Sequence, residues 1–183
     1  MLKPNKKVLE QDVKNAVLAN AVGTGAYVIS VGDCIQPGAT GHNSYVTGAA
    51  SSGLVLGVIT AIRQSGKICE KTSITGVAAA LTGTPSTGPG TDNETYKVWS
   101  VDYIPAYIDM EYVADIDAAA GTTTNSGGNG FLSLLGVSTT AGHAGTLDES
   151  SIALFGGSAG QFATYGVVPG TTTKVVGRIN QAL

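Results

Sequence analysis

The chain has 183 residues, of which 13% are charged and 26 are glycine, with a formal net charge of −3. Charge is about half and glycine about twice the usual share, and the length fits one domain or one domain with an arm. The hydrophobic content of 43% excludes a solvating disordered chain, sparse charge excludes a long exposed helix or coiled coil, and the acidic balance supplies no field for nucleic acid.

Residues 1–22 differ from the rest. Lys3, Lys6, Lys7 and Lys14 are four of the ten basic residues. Leu9, Val13, Ala16, Val17 and Ala21 recur at steps of three and four, the spacing of a helical stripe. The segment is therefore expected to be a basic arm with a short amphipathic helix. Such a helix is marginal alone, so its apolar face needs a partner surface, either the body or another chain. Glu10, Gln11, Asp12, Lys14 and Asn15 interrupt any apolar core of a secretory signal, so none is expected. Leu54–Ile62 is the longest apolar run and is about half of what a membrane-spanning helix requires.

Residues 23–183 are expected to form a β-rich body. Ala26–Val31 is a strand candidate, and Cys34–Gln36 continues it to the turn pair Pro37-Gly38. Leu54–Ile62 is a long apolar strand, and Ser65-Gly66 is a hairpin turn into Lys67–Thr75. Residues 83–92, rich in Gly, Thr and Pro, form a loop that could divide the body into two β units. Tyr96–Val101, Tyr103–Ile108 and Met110–Ile116 follow. After the low-complexity loop Gly121–Gly130 come Phe131–Val137, Ile152–Phe155, Phe162–Val168 and Thr173–Ile179, with Leu147–Leu154 open to a short helical alternative. Short strands between Gly, Ser, Thr and Pro turns point to an all-β barrel or sandwich. No fixed-period repeat is visible.

Signals for chemistry are few. Gly156-Gly157-Ser158-Ala159-Gly160 matches G-x-S-x-G, but no His, Asp or Glu follows Ser158, and a glycine turn is the expectation. Cys34 and Cys69 are expected to be buried free thiols, with a disulfide as the alternative. His42 and His143 lie near neither cysteine in sequence, so no metal site is expected. Asp109, Glu111, Asp115 and Asp117 form an acidic cluster, expected to be a solvated face. Residues 92–117 hold seven acids and one Lys. A basic arm could therefore meet the acidic stretch of a neighbouring copy. Tyr96, Trp99, Tyr103, Tyr107 and Tyr112 gather five of the eleven aromatic residues. They suit core packing or a subunit interface, with a carbohydrate platform as the alternative.

Three stretches carry a resemblance: Val31-Gly32-Asp33-Cys34-Ile35 with Gly53–Ile59 after it, Tyr103–Val113, and Thr173–Asn180. Together they resemble the head decoration, or cement, proteins of tailed bacteriophages, over residues 26–75 above all. The resemblance implies a non-enzymatic virion protein on the outer surface of an icosahedral head, bridging major capsid subunits. It implies a homo-oligomer, a trimer favoured over a dimer, with no cofactor, nucleic acid or membrane partner. Expected partner-binding residues are Lys3, Lys6, Lys7, Leu9, Val13 and Val17 of the arm, and Trp99, Tyr103 and Tyr107 of the aromatic stretch. The alternatives are a tail or fibre protein, or a carbohydrate-binding adhesin module.

Overall fold

A computed structural model describes residues 1–18, 26–37, 45–48, 54–64, 67–68, 73–77, 99–117, 130–134, 145–154 and 160–180. The 83–92 boundary, Ser158, Cys69, His42, His143, Tyr96 and residues 19–22 of the arm lie outside them. The described residues form fourteen strands and one short 3-10 turn. These are β1 (Leu2–Pro4), β2 (Lys14–Leu18), β3 (Ala26–Ser30), β4 (Cys34–Pro37), β5 (Tyr45–Gly48), β6 (Gly57–Gln64), β7 (Lys67–Ile68) and β8 (Ser73–Val77). They continue with β9 (Trp99–Pro105), β10 (Tyr112–Ile116), β11 (Gly130–Leu134), β12 (Thr146–Leu154), β13 (Phe162–Val167) and β14 (Lys174–Ile179).

All-β is the fold class, and the arm is part of it. Where a helix was expected, the described arm contains β1, a 3-10 turn at Glu10–Asp12, and β2. β1 pairs antiparallel with β10, and β2 pairs antiparallel with β9. The physical reason is competition. A helix of three turns cannot hold itself in water, whereas β2 gains a ladder against β9 and buries Ala16. Residues 147–154, where a helix was an alternative, are strand. β6 and β7 pair antiparallel as expected of a hairpin, with Arg63 opposite Ile68 and Gln64 opposite Lys67, while Ser73–Val77 pairs with β3 instead.

The pairings close into two rings. β2, β4, β5, β6 and β9 form the first unit, and β10 to β14 form the second. Numbered by chain order, the ring order in both is first, third, second, fourth, fifth, and back to first. In both, the first–third pair is parallel and the other four pairs are antiparallel.

The registers agree as well. Ala16 lies opposite Val101, and Ala114 lies opposite Val175. Leu18 pairs with Val46, and Ile116 pairs with Leu147. Ile35 meets Gly57, and Leu132 meets Phe162. The fourth strand shifts register between Ile59 and Ala61 in one unit and between Thr164 and Gly166 in the other. Carried through all five pairings, the equivalences are mutually consistent. The chain thus contains two copies of one barrel-like unit. Among the paired positions only Ala16/Ala114 and Val101/Val175 keep the same residue.

One core joins the units. It contains Cys34, Val55, Val58 and Ile104 from the first side, Tyr112, Ala114, Leu132, Leu147, Phe162, Val175 and Ile179 from the second, and Leu2 of the arm. An aromatic–glycine pair recurs across the fourth and fifth strands with its members exchanged. Tyr103 covers Gly57, where an added Cβ would lie 2.5 Å from the ring. Phe162 covers Gly177, where it would lie 2.6 Å from the ring. Each glycine leaves the space that the neighbouring strand's ring fills. Outside the rings, β3 and β8 form a separate two-stranded ribbon.

Candidate interaction surface

The Val31-Gly32-Asp33 turn forms a junction. Gly32 has φ +89°, which favours glycine. A Cβ there would lie 2.8 Å from the Leu2 carbonyl oxygen. Gly32 N–H donates to Ile59 O at 2.8 Å, and Gly32 O accepts from Leu2 N–H at 2.8 Å. Asp33, buried, accepts Ser30 N–H on Oδ2 at 2.8 Å, and its carbonyl accepts Ile59 N–H at 2.9 Å. Gly145, just before β12, packs against this turn so closely that a methyl group would collide with Gly32. The Val31-Gly32-Asp33 turn thereby ties β1, the first unit and the second unit together.

The arm lies on the acidic stretch of its own chain. The N-terminal amine pairs with Asp115 Oδ2 at 2.9 Å, and Lys174 pairs with the other oxygen. Lys6 Nζ donates to the Asp109 carbonyl at 2.8 Å, and the Asn5 side-chain amide donates to Glu111. Arg178 stands 3.7 Å from Asp109. Burial pushes the Asp115 carboxyl up, but the hydrogen bonds from Lys174 and the N-terminal amine outweigh it and hold it below the usual carboxylate range. The charge attraction visible in the sequence is met within one chain.

The first unit carries a different network on its outer face. Arg63 Nε donates to both oxygens of Asp102 at 2.8 Å, and its Nη2 stands 2.7 Å from Oδ2. Asn15 Nδ2 donates to Asp102 Oδ1 at 2.9 Å, and Thr60 Oγ1 donates to the Asp102 carbonyl at 3.2 Å. Burial raises the Asp102 carboxyl, and the hydrogen bonds from Arg63 and Asn15 together with the Arg63 charge bring it below its usual range. Such a forked, charge-assisted pair fixes three strands against one another. No sequence motif marks it, because its members lie 39 and 87 positions apart.

The expected binding residues do not gather at one place. Lys3 is exposed on β1 opposite Val113. Lys6 is committed to Asp109, and Lys7 and Leu9 are exposed. Val13 is half-buried before β2, and Val17 lies in β2 opposite Ser100. Trp99 opens β9 opposite Gln64. Tyr103 is half-buried, and its hydroxyl is pushed up by burial and then by nearby Tyr107, which is 65% exposed. A largely apolar groove of about 460 Å³ opens between the arm and β6, lined by Leu2, Pro4, Val8, Val31 and Ile59 among others.

Among the described residues, no group of three His, Cys, Asp or Glu is placed to hold a metal ion. Cys34 is a buried free thiol, pushed up by burial and then by Asp33, so it stays protonated and unreactive. No helix among the described residues is long and apolar enough to cross a membrane. No family model, known protein or solved structure matches the chain.

Proposed function

We propose that the chain is a structural virion protein that decorates the outer surface of an icosahedral phage head and stabilises contacts between major capsid subunits. One observation carries this reading. The Val31–Ile35 segment, one of the stretches that carry the resemblance to head decoration proteins, is the junction that holds the arm strand and both barrel-like units. The motif thus has a building role in this fold. The all-β scaffold and its sparse charge suit a protein whose faces are covered in an assembly. In this reading the protein acts as a homo-oligomer, with a trimer favoured over a dimer.

Location and copy number in purified particles test the proposal. Heads carrying the chain in stoichiometric ratio to the major capsid protein, and losing thermal stability when it is removed, are the expected result. Its recovery in tails or fibres, with heads unaffected, would overturn it. Glycan binding that depends on Trp99 would instead favour an adhesin module.

A further inference from the structure

The duplicated unit exposes a difference that neither copy shows alone. In each ring the first strand pairs along its length with the fifth, while the third strand reaches only its far end. β12 meets β10 at Asp115 and Ile116, and β5 meets β2 at Val17 and Leu18. The near end of that same edge is therefore left over in both units. In the second unit β1 fills it, with Leu2 opposite Ala114, Lys3 opposite Val113 and Pro4 opposite Tyr112. In the first unit the equivalent edge is Lys14–Ala16. Among the described residues no strand pairs with it.

Two further observations point the same way. The Asn5 N–H donates to Glu111 O at 2.8 Å, so Glu111 and Val113 turn their backbone groups to β1. By register, the Val13 carbonyl and both backbone groups of Asn15 face the open edge. Burial follows: Tyr112, under β1, is 1% exposed, whereas Lys14 at the equivalent position is exposed. Alanine stands at both anchor positions, 114 and 16, and at Ala114 it lies opposite Leu2.

We propose that the Lys14–Ala16 edge of the first unit is a strand-docking slot for an extended segment of a partner protein. The segment runs antiparallel to β2, with an apolar side chain opposite Ala16 and a carboxylate opposite Lys14. Charge decides this chemistry. The filled slot is flanked by Asp109, Glu111 and Asp115 and holds a basic strand. At the open slot the cation is on the acceptor, and nearby Asp12 accepts the Leu9 N–H at 3.3 Å. Main-chain bonds supply affinity in such strand addition, and alternate side chains supply choice of partner. The inference stands apart from the capsid reading, since it names the chemistry of the strand and not its source.

Amide hydrogen exchange on the full chain tests it, read at Asn15 with Val113 as the internal reference. The probe is a synthetic peptide of residues 1–6 carrying Pro4→Glu, which sets leucine opposite Ala16 and glutamate opposite Lys14. In the dilute chain the Asn15 amide is expected to exchange about 100-fold faster than the Val113 amide. The peptide is expected to slow Asn15 by about 10-fold or more and leave Val113 unchanged. Lys14→Glu is expected to abolish that protection, and a Pro4→Lys peptide to restore it with that variant. Protection of Asn15 equal to Val113 in the dilute chain would overturn the proposal. So would protection that rises with protein concentration alone, which marks a second copy as the occupant. Unchanged exchange at millimolar peptide would also overturn it.

Discussion

Where the first unit places Asn15, Arg63 and Asp102 on its outer face, the second places Val113, Val168 and Val176. The registers make these positions equivalent: Asn15 faces Asp102 as Val113 faces Val176. Arg63 lies opposite Ser100, and Val168 N–H donates to Lys174 O at the matching place. Matched inward positions keep their character at three places, with Ala16, Ile35 and Val101 buried in one unit and Ala114, Leu132 and Val175 in the other. A closed ring is held by its backbone ladders and its inward residues. Its outer face can therefore carry a forked ion pair or half-buried valines without changing topology. Surface chemistry is where the two copies were free to diverge, and it is where differing partners would be recognised.

The largest expected effect tests whether the exchanged aromatic–glycine pairs are equal. Phe162 is fully buried over Gly177, so Phe162→Ala should cost about 4 kcal/mol in urea unfolding. Tyr103→Ala should cost roughly half of that, because Tyr103 is only half-buried. Equal costs would mean that the two pairs are equally deep.

Giving the first unit the second unit's surface is the next test. Asp102→Val removes the acceptor of the Arg63 and Asn15 hydrogen bonds and should lower the urea midpoint measurably, with the loss limited because the Arg63 guanidinium stays solvated. Adding Arg63→Val should recover most of it, because the second unit holds its shape with valines at the equivalent places. A double variant no better than the single one would show that the network also positions the strands.

The arm strand contributes less than Phe162. Leu2 is 1% exposed in the shared core, and Leu2→Ala should lower stability by about 2 to 3 kcal/mol. If unfolding is unchanged, β1 does not seal the second unit.

Acid should act on both units through Asp102 and Asp115. Both carboxyls are held below their usual range, so their contribution is complete above the unfolded value of roughly 3.9. It is lost as pH falls through their lower folded values. The urea midpoint should therefore drop below about pH 4, and the Arg63→Val, Asp102→Val double variant should show a shallower drop.

The smallest effect is expected at Tyr112, whose buried hydroxyl finds no hydrogen-bond partner among the described residues. Burial, with Cys34 nearby, pushes that hydroxyl well up, so it stays neutral. Tyr112→Phe should be neutral or stabilise by up to about 1 kcal/mol, read as a small rise in Tm. A clear loss would reveal a partner for the hydroxyl.

Much of the strand pattern was legible in the residues themselves. The apolar run ending at Ile62, the antiparallel pairing of β6 with β7, and the Phe162 and Lys174 strands follow from alternation and turn chemistry. The arm was misread because its apolar spacing suits a helix, while the deciding partners, Val101 and Ala114, lie far away in sequence. The duplication was invisible for a similar reason. The fourth and fifth strands are joined through residues 65–98 in one unit and 168–173 in the other, so no fixed period survives.

Composition and turn residues by themselves determined an all-β chain of sparse charge, with a basic start and an acidic middle. That information is local: which residues can sit in strands, which must turn, and where charge accumulates. Only the tertiary structure decided that the basic start lies on its own acidic stretch, that two rings share one order, and that one first-strand edge is filled while no described strand pairs with its counterpart. Those outcomes depend on which distant strands pair and in what register, and pairing energies arise only once the chain has closed.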